Sequence, residues 1–169
     1  MIKNKYVFWV VFAALTAFSF RVVAQQPVDS EFHGEWVFDR AQAQERPLHS
    51  KQEYSVRGVS QDEFWQKVYF LNMPTKILFI DKYIAHISHP SWSKLALFVM
   101  NDNKLEFRVS KDGLEDKLDI AEIHSYIPLM PNYDVKRNGN QMSLQCEYFY
   151  SDGQGNYTEG ILTIYYKQY

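Results

Sequence analysis

The sequence predicts an all-β fold, an antiparallel meander of about eight to ten strands closed into a barrel, with one short helical turn. Three observations lead to this prediction. Aromatic residues form 17% of the chain, and most of them stand in short apolar runs typical of strands. Gly, Asn, Asp and Pro separate these runs at short intervals, as hairpin turns do. So many antiparallel strands leave exposed edges unless the sheet closes, and a barrel removes the edges completely.

The N-terminus is typical of a cleavable secretory signal. Lys3 and Lys5 precede an uncharged stretch from Tyr6 to Phe20, which suits the apolar core of a signal and is short for a membrane-spanning helix. Cleavage is predicted after Ala24, and an uncleaved membrane anchor is the alternative. The prediction is therefore a signal peptide over residues 1–24 and one domain over residues 25–169. The product would be exported, periplasmic or extracellular, without membrane attachment after cleavage.

Composition limits the classes of partner. The chain has a net charge of −2, and loss of the signal removes basic but no acidic residues, so the domain is acidic. An acidic chain without a basic stripe lacks the charge pattern of a nucleic-acid binder or of an anionic-membrane binder. Cys146 is the only cysteine, so no internal disulfide can form. Its apolar neighbours favour a buried thiol, and a reactive or intermolecular thiol is the alternative.

The first part of the domain has the pattern of successive hairpins with one interruption. The predicted strands are Glu35–Ala43, Lys51–Val59, Gln66–Leu71, Thr75–Ile80, Tyr83–Ser88, Leu95–Met100 and Leu105–Ser110. The interruption is the segment from Ser60 to Trp65, where Ser60 and Glu63 have the spacing of a helix capping box. This spacing predicts a single helical turn.

The last part of the domain repeats the hairpin pattern. The predicted strands are Tyr133–Arg137, Gln141–Tyr150 and Tyr157–Tyr169. Asn138 and Gly139 lie between the first two, and Asn-Gly between alternating runs is the strongest short hairpin signal. The segment from Leu114 to Met130 fits either a helical face or a strand from Ile120 to Ile127, and the strand is preferred.

A short motif opens the first predicted strand, with the sequence Phe32-His33-Gly34-Glu35-Trp36. Its Gly-x-Trp pattern resembles the signature of the lipocalins and the wider calycin superfamily, and the chain looks like the small lipocalin-like domains of exported bacterial proteins. The resemblance implies that Gly34 and Trp36 close one end of a barrel and that a cation from the last strand packs on the Trp. Lys167 is the cation of the last strand here, where the family usually has Arg. The family's middle Thr-Asp-Tyr type of signature and its disulfide are not present.

The surplus of aromatic residues suggests a binding role. An interior lined by rings could enclose an apolar or planar ligand, with Tyr hydroxyl groups supplying a few polar contacts. The candidate ligand-binding residues are Tyr69, Phe79, Phe98, Phe107, Tyr148 and Tyr150. Rings that simply fill the barrel are the equal alternative.

Two histidines are the most suggestive polar pair. His86 and His89 point to opposite faces if both lie on one strand, and no acid or cysteine accompanies them at the spacing of metal ligands. A solvated or core position is the favoured interpretation over a metal or haem site.

No catalytic residue, metal ligand or cofactor is predicted, and no known catalytic motif is present. A cluster of acids is typical of a solvated face, although carboxylates brought together from distant strands would be the enzymatic alternative; its members are Asp112, Glu115, Asp116 and Asp119.

These observations favour a non-catalytic, exported, lipocalin-like barrel that binds a small hydrophobic or amphipathic molecule by enclosing it. The alternative is a structural or interaction module with a filled barrel. In that case outward aromatic residues, such as one of Tyr165 and Tyr166, would form a surface for a homodimer, another protein or a glycan.

Overall fold

The computed structural model describes residues 32–71, 73–110, 126–129 and 132–169. The predicted signal peptide and the acidic cluster of residues 112–119 lie outside these ranges, as does most of the predicted strand over residues 120–127. The elements in chain order are β1 (Gly34–Pro47), β2 (Ser55–Val59), α1 (Gln61–Leu71), β3 (Lys76–Phe79), β4 (Ile84–His89), β5 (Trp92–Asn101), β6 (Lys104–Val109), β7 (Ile127–Pro128), β8 (Tyr133–Asn138), β9 (Gln141–Ser151) and β10 (Tyr157–Gln168).

Eight antiparallel strands close into a barrel. The ring order is β1, β3, β4, β5, β6, β8, β9 and β10, and β10 pairs with β1 to complete it. Two further strands lie beside the ring, because β2 pairs with β1 and β7 pairs with β6. The predicted all-β closed barrel with a short helix is therefore confirmed.

The pairing register defines two ends of the barrel. At one end lie Gly34, which is opposite Phe79, and Gln168, which is opposite Trp36. We call this the Trp36 end. The other end contains the hairpin between β4 and β5, where His89 is opposite Trp92, and the hairpin between β9 and β10. We call this second end the mouth.

A β-bulge at Asp39 changes which residues of β1 face the core. The register with β10 shifts between Phe38 and Arg40. Trp36 faces inward before the shift, whereas Ala41 and Ala43 face inward after it. Because of the extra residue, the charged side chains of Asp39 and Arg40 both lie outside the core. Simple alternation along the sequence would have directed Arg40 inward.

The helix α1 is longer than the predicted turn. Its start agrees with the prediction, since the Glu63 backbone N–H donates to Ser60 Oγ over 3.1 Å. The strand predicted over Gln66–Leu71 is wrong, because the helix continues to Leu71. No Gly or Pro interrupts the run before Pro74, and the Phe64 ring, buried in the barrel core, fixes the helix against the barrel. Tertiary packing here outweighs the strand preference of the aromatic residues.

In the part of the chain that the structure describes, no helix has the length and apolar character needed to cross a membrane.

Gly160 lets β9 and β10 pack a large ring on the inner face at the mouth. A Cβ at this position would lie 2.7 Å from Cζ of Tyr148 and 2.9 Å from the carbonyl oxygen of Gln44. The first neighbour is a ring already held by packing, and the second is backbone. A side chain at position 160 would therefore displace the Tyr148 ring.

We expect Gly160→Ala to lower the free energy of unfolding by about 2 kcal/mol, because overpacking of a filled site costs roughly 1–3 kcal/mol. Gly58→Ala is the matched control, since a Cβ there meets nothing within 4 Å. Urea denaturation of both variants measures the difference. Equal stability of the two variants would contradict this description of the Tyr148 site.

Candidate functional site

The Trp36 end of the barrel is sealed by a buried tryptophan. The Trp36 side chain is fully buried, and its indole N–H donates to the carbonyl oxygen of Phe32 over 2.9 Å. Gly34 precedes it with a φ of 114°, a conformation that favours glycine. A Cβ at Gly34 would also lie 2.5 Å from the Gln168 side-chain amide, which donates to the carbonyl oxygen of His33. The Gly-x-Trp motif therefore fixes the chain across this end.

The cation over Trp36 is Arg137 on β8. Its guanidinium carbon lies 5.7 Å from the centre of the Trp36 ring. Lys167 had been expected there, and this expectation is corrected. Lys167 pairs in register with Val37 on the outer face, where its ammonium group lies 2.7 Å from Asp39 Oδ1. The pKa of Asp39 is lowered, chiefly by the hydrogen bond from Lys167.

Three of the six candidate ligand-binding residues fill the Trp36 half of the interior. Phe79, Phe98 and Phe107 are all buried. The ring centres of Phe79 and Phe98 are 4.9 Å apart in an edge-on arrangement, and those of Phe79 and Phe107 are 6.5 Å apart. Mutual packing of this kind is a filled core.

Two more candidates stand at the mouth. Tyr148 and Tyr150 share the inner face of β9, and their rings are nearly parallel with centres 6.2 Å apart. Tyr148 is buried, and Tyr150 is half-buried at the rim. The sixth candidate, Tyr69, lies in α1 and not on a strand of the barrel wall.

Further rings of the mouth come from α1 and from the β4–β5 hairpin. Phe64 enters the interior from α1 and stacks on Phe38 with ring centres 4.0 Å apart. His89 stacks on Trp92 with an interplanar angle of 11° and a separation of 5.0 Å. Trp65 packs beside Phe38 at 6.2 Å. The mouth is therefore lined by aromatic faces on several sides.

One cation also faces inward at the mouth. Lys94 is opposite Ile87 in the β4–β5 pairing, which places it on the same face as His89 and Trp92. Its ammonium nitrogen lies 5.8 Å from the centre of the Trp92 ring. Within the described residues, no carboxylate forms an ion pair with Lys94. An ammonium group beside a half-buried aromatic face can bind an anionic group of a ligand.

A charged network joins α1, β1, β2 and β9 at the same end. Arg57 Nη2 lies 2.7 Å from Glu45 Oε2 and 2.6 Å from Glu63 Oε1, while the Tyr148 hydroxyl donates to Glu45 Oε1. The pKa of Arg57 is raised, first by its hydrogen bond to Glu63. The pKa of Tyr148 is also raised, mainly by burial and secondly by the hydrogen bond to Glu45. Arg57 therefore stays charged and Tyr148 stays uncharged near neutral pH, and the network attaches the first turn of α1 to the barrel.

Three titratable side chains lie deeper in the interior. Burial raises the pKa of Cys146 to about 12 and raises the pKa values of Tyr133 and Tyr166 well above the usual tyrosine range. The Tyr166 hydroxyl donates to the carbonyl oxygen of Pro74 over 2.5 Å. All three groups are uncharged at neutral pH.

The two histidines lie on opposite faces of β4, as their spacing predicts. His89 faces inward and its Nδ1 accepts from the Ser91 backbone N–H over 3.2 Å. His86 lies on the outer face, with Nε2 3.0 Å from Ser93 Oγ. Among residues 32–71, 73–110, 126–129 and 132–169, no three His, Cys, Asp or Glu side chains are grouped so that they could share a metal ion.

Comparison with known proteins finds no significant match to any protein-family model, curated protein or solved structure.

Three inward residues of the site, namely Arg137, Lys94 and Tyr133, are not among the site residues predicted from the sequence. The alternation of side chains along each strand would have indicated that they face inward. Arg137 shares parity with Tyr133 and Val135 in β8, and Lys94 shares parity with Trp92 in β5. The strand predicted over Leu95–Met100 begins one residue after Lys94, whereas β5 begins at Trp92. The resemblance implied a cation from the last strand, whereas Arg137 belongs to β8.

We expect Arg137→Met to lower the free energy of unfolding by about 1–2 kcal/mol, because it removes a half-buried cation from the face of a buried indole. Lys167→Met should cost less than about 1 kcal/mol, because the ion pair with Asp39 is exposed to solvent. Thermal and urea denaturation compare the two variants. A larger loss in the Lys167 variant would contradict the assignment of Arg137 as the cation that closes the barrel.

Proposed function

We propose that the protein is an exported, lipocalin-like barrel that binds a small hydrophobic or amphipathic molecule at its mouth and catalyses no reaction. A closed ring of eight antiparallel strands supports this proposal, because a barrel of this size has an interior suited to side chains or to one small ligand. The Trp36 half is occupied by rings, so the ligand would bind in the half nearer the mouth.

The observation that carries the proposal is the combination of aromatic faces and a cation at the mouth. Trp92, stacked on the buried His89, and Tyr150, stacked on the buried Tyr148, are half-buried and offer flat apolar surface. Lys94 lies beside Trp92 without a carboxylate partner among the described residues. Rings would hold the apolar part of a ligand, and the ammonium group would hold an anionic head. The nearby acids Glu45 and Glu63 are engaged by Arg57 and compete little for the same cation.

The lipocalin-like part of the proposal is supported by the position of the Gly-x-Trp motif. Gly34 and Trp36 begin β1 at the sealed end, and a cation packs on the indole, as the resemblance implies. The cation comes from β8 instead of the last strand, so the likeness lies in the packing of a cation on the indole and not in the strand that supplies it. The proposal of export rests on the signal-like pattern of residues 1–24.

A second candidate function is an interaction module that uses the outside of the barrel. Phe149 is 70% exposed and Tyr157 is 51% exposed, and the register of β9 and β10 places them near each other on the outer face. Exposed aromatic residues of this kind suit a protein or glycan partner or a second copy of the chain. Tyr165, the earlier candidate, is instead covered by the Arg40 guanidinium at 4.4 Å.

Binding of the dye N-phenylnaphthylamine, displaced by laurate or by lauryl alcohol, tests the leading proposal. We expect Lys94→Gln to weaken laurate about fivefold to tenfold, because a charge pair in a partly buried site contributes about 1 kcal/mol. Lauryl alcohol should bind equally well to both proteins. Lys104→Gln is the matched control, since it removes the same charge from the outer face, where Lys104 pairs with Asp134 at 2.7 Å.

Two results would count against the leading proposal. A wild-type protein that neither enhances dye fluorescence nor binds either lipid has no such site. Dye binding that Phe149→Ser abolishes would place the apolar surface outside the barrel and favour the interaction module.

A further inference from the structure

Among the residues that the structure describes, one buried hydroxyl group in the barrel lacks the hydrogen bond that its neighbours have. Tyr133 is fully buried on the inner face of β8, and within the described residues its hydroxyl has no hydrogen-bond partner. The hydroxyl groups of Tyr148 and Tyr166, also buried, each donate to an acceptor, on Glu45 and Pro74 respectively. The contrast singles out Tyr133.

An unpaired buried hydroxyl is destabilising compared with the same ring without it. A phenylalanine would fill the space and avoid the desolvation of the O–H group, which costs roughly 1–3 kcal/mol when no partner replaces water. Buried polar groups without partners are rare in folded proteins. A buried donor of this kind points to an acceptor that the described residues do not supply.

Tyr133 is placed where a molecule bound at the mouth could reach it. In the β8–β9 pairing Asp134 is opposite Gln145, so the next step of the register brings Tyr133 beside Cys146. Cys146, Tyr148 and Tyr150 form the inner column of β9 that leads to the mouth. Along this column Cys146 is 4% exposed and Tyr148 7% exposed, whereas Leu144 below them is fully buried.

We propose that the Tyr133 hydroxyl donates a hydrogen bond to a neutral oxygen acceptor on the apolar body of the bound molecule, such as a ketone, ester or ether. This inference rests on the proposed function and specifies the class of ligand. The molecule would place its rings or chain between the aromatic faces of the mouth and its acceptor at the depth of Cys146.

The surroundings of Tyr133 favour a neutral acceptor over a charged one. Cys146 and Tyr166, the titratable groups that influence it, are uncharged at neutral pH. Arg137 is opposite Met142 on β9, four residues from Cys146, which corresponds to roughly 13 Å along the strand. Its guanidinium lies over Trp36. A carboxylate beside Tyr133 would therefore be buried without a countercharge, which is strongly unfavourable.

Acetylnaphthalene and ethylnaphthalene, substituted at the same ring position, test this inference by displacement of N-phenylnaphthylamine. The two probes have nearly the same shape, and only the first carries an oxygen acceptor. We expect the wild-type protein to bind acetylnaphthalene about tenfold more tightly than ethylnaphthalene, since one hydrogen bond in a dry site contributes about 1.4 kcal/mol. Tyr133→Phe should abolish this preference and leave the affinity for ethylnaphthalene unchanged.

Tyr166→Phe is the matched control, because it removes a hydroxyl group that already has an acceptor. The preference for acetylnaphthalene should survive in this variant. Equal affinity of the wild-type protein for both probes, or a preference that persists in Tyr133→Phe, would overturn the inference while the proposed function stands. Failure of the dye and of both probes to bind would overturn both.

Discussion

The pairing of the first barrel strand with the last determines the rest of the structure. β1 and β10 are joined from Trp36 opposite Gln168 to Pro47 opposite Thr158, and this pairing converts a sheet with two open edges into a ring. The opposite edge of β1 is divided, because its first four residues pair with β3 and Ala41 to Glu45 pair with β2. The Asp39 bulge lies between these two parts. β1 can therefore close the barrel at the Trp36 end and extend beyond it toward the mouth.

This division separates a packed half of the interior from a half with polar and exposed groups. Rings of β3, β5 and β6 pack on one another near Trp36, where no side chain other than Arg137 brings a charge among the described inward residues. Toward the mouth the wall is completed by β2 and α1, and Arg57 holds both in place by contacting one carboxylate from β1 and one from α1. The groups available to a ligand thus lie where helix and sheet meet.

Much of the fold could be predicted from the sequence, because hairpin turns and strand alternation are local signals. The Asn138-Gly139 turn, the β9–β10 hairpin and the start of α1 all follow from nearby residues. The continuation of α1 through Leu71 could not be predicted, since Phe64 packs against Phe38, a residue distant in sequence. The bulge at Asp39 was equally hidden, because it depends on the register with β10.

The candidate site was predicted less well than the fold. Alternation shows which residues share a face but does not show which ends of different strands meet. Some of the predicted aromatic residues therefore belong to the packed core, and others form a pair at the mouth. Only the order of the strands shows that Arg137, and not Lys167, lies over Trp36. The lack of a partner for Tyr133 within the described part of the chain is also a property of three-dimensional packing, since nothing in the local sequence distinguishes this hydroxyl from that of Tyr166.

The single thiol provides a means of observing the barrel in motion. Cys146 is the only cysteine of the chain, it is 4% exposed, and it lies on the inner column of β9 beside Tyr133. A thiol reagent can therefore modify it only when the mouth opens or the barrel unfolds. The rate of that modification reports how often the interior is accessible, and a molecule held beside Cys146 would slow it without any change in the fold.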